Sequence, residues 1–162
     1  MAFDIISEVE KVYDEYADLL YRIALTHTAD SHDAMDAVHD VFVKYATLRK
    51  SFKNEEHRKA WLIRSTVNRC HDLFRRAQVR RYTPIEEVDE IAAENDLAPA
   101  VREMLESLPD NYKTVLVLHY LEGFSVEECA TILGLSVSAV KMRLSRAREM
   151  VNEKHKKEDF YV

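Results

Sequence analysis

The residues best suited to chemistry in this 162-residue chain lie in two basic segments, and the chemistry they suit is nucleic-acid binding. Drawn as a helix, the first segment places Trp61 on one arc with polar and basic side chains, which are Arg64, Ser65, Asn68, Asp72, Arg75 and Arg76. An aromatic face can stack on an unpaired base while nearby cations hold the backbone. The arc therefore predicts a surface for unstacked nucleic acid. A solvated charged face, and for Trp61 packing against a neighbouring helix, are the alternatives.

The second basic segment, residues 124–151, has the spacing of a helix-turn-helix. Ser125 and Glu128 form a capping box, and Gly134 supplies a turn that needs positive φ. In the second helix an apolar stripe runs from Val140 to Val151. The outward positions that can reach the edges of DNA bases are Ser138, Met142, Ser145, Arg146 and Glu149. The basic side chains that flank them and suit phosphates are Lys141, Arg143 and Arg148. A merely structural helical hairpin is the alternative.

Catalytic and metal chemistry find no support in the residue pattern. The chain has no arrangement of nucleophile and base, no phosphate-binding loop and no histidine, cysteine or carboxylate spacing typical of a metal site. Cys70 and Cys129 each fall at an apolar helical position, which predicts buried free thiols. We therefore expect no enzymatic activity, no cofactor and no metal ion.

Charge is strongly segregated along the chain, although the net charge is only −6. Residues 1–48 carry ten acids and three bases, and residues 82–110 carry nine acids and one base. Residues 58–81 carry eight bases and one acid, and residues 141–157 carry seven bases and two acids. Phosphate responds to the local field, so the two basic segments remain candidates for DNA contact.

Two glycines and three prolines among long runs rich in Ala, Leu, Glu, Lys and Arg predict an all-α protein. Apolar spacing predicts helices over residues 5–28, 31–48 and 58–77, with a loop over 49–57. On the third helix the apolar stripe is Ile63, Val67, Cys70 and Phe74. Residues 79–96 lose this periodicity and turn acidic, which predicts a flexible linker between two small helical domains, residues 1–78 and 97–162.

The chain shows no signal-peptide pattern and no apolar stretch long enough to span a membrane. We therefore expect a cytoplasmic protein without membrane insertion.

Three stretches of the chain resemble parts of one known family. Residues 106–151, ESLPDNYKTVLVLHYLEGFSVEECATILGLSVSAVKMRLSRAREMV, resemble region four of sigma factors, the dissociable promoter-recognition subunits of bacterial RNA polymerase. YRIALTHTADSHDAMDAVHDVFVKY and KAWLIRSTVNRCHDLFRR, from residues 21–45 and 59–76, resemble region two. The short linker without an intervening domain resembles the extracytoplasmic-function branch of the sigma-70 family.

For the first domain the resemblance implies contacts with both polymerase and melted DNA. Asp36, His39 and Asp40 stand where the family docks on the polymerase clamp, although the family more often has Gln-Glu in place of His39-Asp40. The minus-ten element would be held by one loop and one helix, through Phe52, Lys53, Asn54, Trp61, Asn68, Asp72, Arg75 and Arg76.

For the second domain the resemblance implies recognition of the minus-thirty-five element. The residues concerned are Ser138, Lys141, Met142, Arg143, Ser145, Arg146 and Arg148. The preceding helix, near residues 110–121, resembles the part that packs around the polymerase flap tip and offers Val115, Leu116 and Leu118. An anti-sigma factor is a further expected partner. The alternative function is a stand-alone, dimeric helix-turn-helix regulator that binds operator DNA, and a helical adaptor that binds only protein is a third.

Overall fold

The computed structural model describes residues 2–80 and 98–160 of the chain. The helices are α1 (Ala2–Thr28), α2 (Ser31–Leu48), α3 (Glu55–Arg80), α4 (Pro99–Glu106), α5 (Asp110–Leu116), α6 (Val126–Leu133) and α7 (Val137–Phe160), with a π-helical turn, Val117–Leu121, continuing α5. No strand occurs within these described ranges. The chain divides into two compact units, residues 1–96 and residues 97–162, called the N-terminal and C-terminal units below. The expected all-α class is confirmed.

The N-terminal unit is a bundle in which α1, α2 and α3 each pack on the other two. The apolar residues spaced three and four apart on each helix face inward. Fully buried members include Leu20, Ile23, Val38, Leu62 and Ile63. Each such side chain stabilises the fold by about 1.5–3 kcal/mol relative to an exposed position. The bundle fixes the outer faces of α2 and α3, which carry the predicted contact residues.

Local capping residues set the helix starts in this unit. The Asp30 carboxylate accepts hydrogen bonds from the backbone N–H groups of His32 and Asp33 and so caps α2. The Asn54 side chain accepts one from the N–H of His57 at 2.9 Å, and α3 begins at Glu55. The predicted start at residue 58 was therefore wrong by one turn, because Asn54 was not recognised as a cap. The loop shortens to residues 49–54.

The far end of α3 departs from the prediction at one apolar position. Ile63, Val67 and Cys70 are buried, whereas Phe74 is 47% exposed. The assignment of Phe74 to the buried stripe was wrong, because the helix has passed the end of the bundle there and no described element covers it. The predicted acidic linker, residues 79–96, lies outside the described residues except for positions 79 and 80, which belong to α3.

The C-terminal unit is built around α7, on which α5 and α6 pack. Ser125 and Glu128 form the predicted capping box at the start of α6, with side-chain to backbone distances of 3.0 and 3.2 Å. Gly134 ends α6 at φ 66°, a left-handed conformation that side chains other than glycine adopt only with strain. Ser136 accepts a hydrogen bond from the N–H of Ala139 and caps α7. These caps fix the angle between α6 and α7.

A π-helical turn separates α5 from the helix-turn-helix. The N–H of Glu122 bonds to the carbonyl of Val117 at 3.0 Å, five residues back. One extra residue in a turn shifts the direction of the side chains that follow it. Val117 and Leu118 are buried, and Tyr120 and Leu121 remain 54% and 45% exposed.

Candidate nucleic-acid interface

Three aromatic rings meet beside the loop that precedes α3, and Tyr45, Phe52 and Trp61 are called the aromatic cluster below. The Trp61 ring centroid lies 5.8 Å from that of Phe52 and 6.1 Å from that of Tyr45. The ammonium of Lys44 lies 6.0 Å from the Trp61 ring centroid, within cation–π reach. Tyr45 is buried and Trp61 half-buried. Trp61 thus packs on its neighbours and still presents part of its indole at the surface.

Polar contacts beneath the aromatic cluster hold the loop in place. Arg58 is ion-paired with Glu55 and lies 3.9 Å from a carboxylate oxygen of Glu8, and its guanidinium is 5.8 Å from the Phe52 ring centroid. The hydroxyls of Tyr16 and Tyr45 donate to Glu55 and Glu8, at 2.8 and 3.2 Å. Burial raises the pKa of both tyrosines, so both stay neutral donors at neutral pH. Sequence patterns gave no sign of this network, because its members are far apart in the chain.

The predicted minus-ten residues divide between the loop and the outer face of α3. Phe52 is half-buried in the aromatic cluster, and Lys53 and Asn54 are exposed beside it. Of the predicted residues on α3, Asn68, Asp72, Arg75 and Arg76 are exposed, and Arg64 on the same arc is exposed as well. Aromatic edge, amide, carboxylate and guanidinium groups therefore follow one another along one side of the unit, a combination suited to bases and phosphates.

The predicted polymerase-facing residues Asp36, His39 and Asp40 are all exposed on α2. Asp40 faces α3, and the Nε of Arg69 donates to its Oδ2 at 2.7 Å. A polar cleft of about 310 Å³ opens around this ion pair; its lining is Asp40, Val41, Lys44, Ser65, Asn68, Arg69 and Asp72. The cleft brings Asp40 together with two predicted minus-ten residues, Asn68 and Asp72. Arg69 itself was missed from the sequence, because it lies at the edge of the polar arc.

On α7 the predicted base-reading and buried faces are separated as expected. Val140, Leu144 and Ala147 are buried in the unit. Exposed residues are Ser138, Lys141, Met142, Ser145, Arg146 and Arg148, and Arg143 is half-buried. Arg148 faces the π-helical turn, where it donates a hydrogen bond to the Tyr120 hydroxyl at 2.7 Å. The guanidinium of Arg148 is thus held by protein, whereas Arg146 points outward.

The apolar residues expected to meet the flap tip are part of the core instead. Val115, Leu116 and Leu118, the residues that the sequence offered for the flap tip, are all buried, so they are not accessible to a partner as the structure stands. The accessible apolar groove beside them has a volume of about 250 Å³ and is lined by Val101, Met104, Leu105, Leu116, Tyr120, Leu121, Arg148, Val151 and Asn152. The run from Val115 to Leu121 is almost uninterrupted in hydrophobicity, so periodicity could not identify its exposed members.

The two cysteines are free and buried, as predicted. Burial, with a smaller contribution from the charge of Glu128, raises the pKa of the Cys129 thiol to about 11, so this thiol stays protonated at neutral pH. In the described part of the chain no three histidine, cysteine or acidic side chains are placed to hold a metal ion. None of the described helices is both long and apolar enough to cross a membrane.

Family models match both units. Residues 12–80 match the model described as sigma-70 region 2, and residues 99–151 match the one described as sigma-70, region 4. The first match covers the aromatic cluster and the α2–α3 cleft. The second covers the helix-turn-helix and every residue that lines the groove except Asn152.

Several relatives that align with most of this chain are named as RNA polymerase sigma factors. The chain is 31% identical to the ECF RNA polymerase sigma factor SigM of Mycobacterium tuberculosis over 142 residues, which cover 86% of this chain and 72% of the relative. It is 28% identical to the RNA polymerase sigma factor SigV of Bacillus subtilis, with 86% of each chain covered. It is 32% identical to the ECF RNA polymerase sigma-E factor of Escherichia coli, with 76% of this chain and 74% of the relative covered.

Solved structures with the same fold are known. A sigma factor RpoE from Bartonella quintana, in complex with the anti-sigma factor NepR, aligns with a TM-score of 0.70 at 24% identity, covering 92% of this chain and 97% of that one. CnrH, in complex with the cytosolic domain of CnrY, aligns with a TM-score of 0.68 at 25% identity, covering 92% and 88%.

Proposed function

The chain belongs to the sigma-70 family of RNA polymerase sigma factors, in its extracytoplasmic-function group, and from that premise we propose how its two units share the work of transcription initiation. It is a transcription initiation factor that directs RNA polymerase to promoters. One observation supports this assignment of different roles to the two units. The region 2 match falls on the unit with the aromatic cluster, and the region 4 match falls on the unit with the helix-turn-helix.

The N-terminal unit would engage the minus-ten element as it melts. The exposed edge of Trp61 offers a face to an unstacked base, and Arg75 and Arg76 offer cations to the backbone. The loop residues Phe52, Lys53 and Asn54 lie beside the same ring and would receive a flipped base. The ion pairs of Arg58 hold this loop in position before DNA arrives, which lowers the entropy lost on binding.

The outer face of α2 would dock on the polymerase clamp. Asp36, His39 and Asp40 lie within two turns, are exposed, and give the face a negative charge that suits a cationic partner. Because the α2–α3 cleft adjoins this face, polymerase and DNA would bind neighbouring sides of one bundle.

The C-terminal unit would read the minus-thirty-five element in duplex form. Arg146, Met142 and Ser145 project from the first half of α7, where a recognition helix meets base edges in the major groove. Lys141 and Arg143 flank them and suit phosphates. The apolar groove with Tyr120 and Leu121 is the surface available to the polymerase flap tip.

The chain itself would catalyse no reaction, and promoter opening would be driven by binding energy shared with polymerase. Sigma factors are initiation factors that act without enzymatic activity of their own. The site of action would be the cytoplasm, where bacterial polymerase works. An anti-sigma factor is a proposed further partner, because the structural neighbour RpoE was solved in complex with the anti-sigma factor NepR.

In vitro transcription tests this function directly. Bacterial core polymerase is incubated with a library of genomic fragments, with and without the purified chain. We expect transcripts that depend on the chain and start at a constant distance from two shared sequence elements. If the chain adds no transcript and instead retains duplex fragments without polymerase, it is an operator-binding regulator. If it does neither, a protein-binding adaptor is favoured.

A further inference from the structure

An ion pair links the helix proposed to meet polymerase with the helix proposed to meet DNA. Asp40 lies on the outer face of α2, and Arg69 lies on α3 next to Asn68. Their side chains meet across the α2–α3 cleft at 2.7 Å. Asn68 and Asp72, both proposed DNA contacts, line the same cleft. A change at Asp40 therefore acts directly on the surface offered to DNA.

The pair is placed so that other charges can exchange with it. The Arg69 side chain is 27% exposed and that of Asp40 49% exposed. Ion pairs at such accessible positions are weak, because water competes for both groups. A cation from a partner can thus take over Asp40 at small cost. The pair therefore contributes little to the stability of the fold, and its two members can exchange readily to other ionic partners.

The charged side chains that line the cleft have a net charge of zero only when Asp40 is included. Two carboxylates, from Asp40 and Asp72, face two cations, from Lys44 and Arg69. A phosphate gains little from entering a neutral cleft. If Asp40 pairs with another cation, the remaining groups carry a net positive charge, and the Arg69 guanidinium, with its fork of donors, becomes free for a phosphate.

We propose that Arg69 is a DNA phosphate contact that is withheld by Asp40 in the free chain and released when polymerase engages Asp40. The proposal rests on the function proposed above. It makes promoter binding conditional on polymerase through one exchange of ionic partners. The ligand is a backbone phosphate of the minus-ten strand beside Asn68.

The free chain provides the first test, using a fork-junction DNA made from a promoter recovered in the transcription assay. Asp40→Asn removes the carboxylate that holds Arg69. We expect roughly fivefold tighter binding, the equivalent of about 1 kcal/mol, and a salt dependence of the binding constant steeper by about one unit. The double variant Asp40→Asn with Arg69→Gln should bind like the original chain.

Glu106→Gln is the matched control. It removes one negative charge from an exposed pair with Arg102, 3.2 Å apart on α4, and leaves the cleft untouched. If Glu106→Gln and Asp40→Asn change the affinity and the salt dependence equally, the effect is one of net charge, and the proposal is overturned. The proposal is also overturned if the double variant keeps the gain.

The polymerase complex provides the second test. Arg69→Gln in the complex should bind the same DNA more weakly, with a salt dependence shallower by about one unit, while Arg102→Gln changes neither. If Arg69→Gln leaves both unchanged in a complex that transcribes normally, the coupling is absent although the proposed function stands. If the unaltered chain supports no transcription with core polymerase, the proposed function has failed and the coupling with it.

Discussion

At the scale of single residues, Trp61 is the proposed DNA contact whose contribution should depend most on the state of the DNA. Its indole packs in the aromatic cluster on one side and is open on the other. A base can stack on the open part only after it has left the duplex. Trp61 should therefore contribute to promoter opening and little to the first, closed complex with duplex DNA.

Trp61→Ala is expected to leave closed-complex formation nearly unchanged and to reduce the open complex by roughly 5- to 150-fold, because one base–aromatic stack is worth about 1–3 kcal/mol. Permanganate reactivity of unpaired thymines measures opening, and a mobility shift in the cold measures the closed complex. Phe74→Ala is the control, since Phe74 is an exposed aromatic on the other side of α3. Normal opening by Trp61→Ala would make the tryptophan a packing residue only.

Substitutions of Arg146 and of Arg143 on α7 should remove different kinds of DNA contact. Arg146 is exposed and points outward, so Arg146→Ala should cost about 1–3 kcal/mol at the preferred promoter and relax the preference at one minus-thirty-five position. Arg143→Ala, on the flank, should weaken binding to all sequences alike and lower the salt dependence. Binding selection on a randomised minus-thirty-five element distinguishes the two. An unchanged preference with Arg146→Ala would place Arg146 on the backbone.

At the scale of elements, local rules were enough wherever a helix end carried its own cap. Ser125 and Gly134 act as their positions in the sequence predicted, and Asp30 and Ser136 also cap the helices that follow them. The π-helical turn could not be predicted, because it follows from how α5 reaches the helix-turn-helix and not from residue spacing. As a result the core position of Leu118 and the open position of Tyr120 were not distinguished in advance.

Ser125→Ala tests the capping box at the start of α6. Losing the side-chain acceptor for the N–H of Glu128 should lower the free energy of unfolding of the C-terminal unit by about 0.5–2 kcal/mol. Urea denaturation of residues 97–162, followed by circular dichroism, measures it. Ser107→Ala is the control, since Ser107 follows the end of α4, its hydroxyl donates to the carbonyl of Met104 in that helix, and it supplies no N-cap. Equal losses from the two variants would contradict the capping role.

At the scale of the whole molecule, the helices and their exposed faces were predictable, whereas the contacts that join them were not. The basic side chains of α3 could be identified from the sequence. The Asp40–Arg69 ion pair could not, because its members are 29 positions apart and meet only when α2 packs on α3. The same holds for Glu8 and Tyr45, 37 positions apart. Residue patterns identify which faces are available; tertiary structure decides which of their charges are already occupied.

Polymerase capture should belong to the N-terminal unit. Residues 1–80, fixed to a resin, are expected to retain core polymerase, because they include the whole α2 face. Asp36→Lys should abolish capture by reversing an exposed charge on that face. Asp14→Lys is the matched control, since Asp14 is an exposed acid on α1. If both variants capture polymerase equally well, another surface makes the contact.

Free DNA binding should be opposed by the distribution of charge along the full chain. Residues 1–48 and 82–96 carry net charges of −7 and −6, whereas residues 97–162 contain ten acids and nine bases. Most of the acidic charge that repels DNA therefore lies outside the C-terminal unit. We expect residues 97–162 alone to bind promoter duplex more tightly than the full chain at low salt, with the difference narrowing as salt screens the acidic segments. Fluorescence anisotropy over a salt series measures both. Tight, sequence-specific binding by the isolated full chain at physiological salt would instead favour a regulator that acts without polymerase.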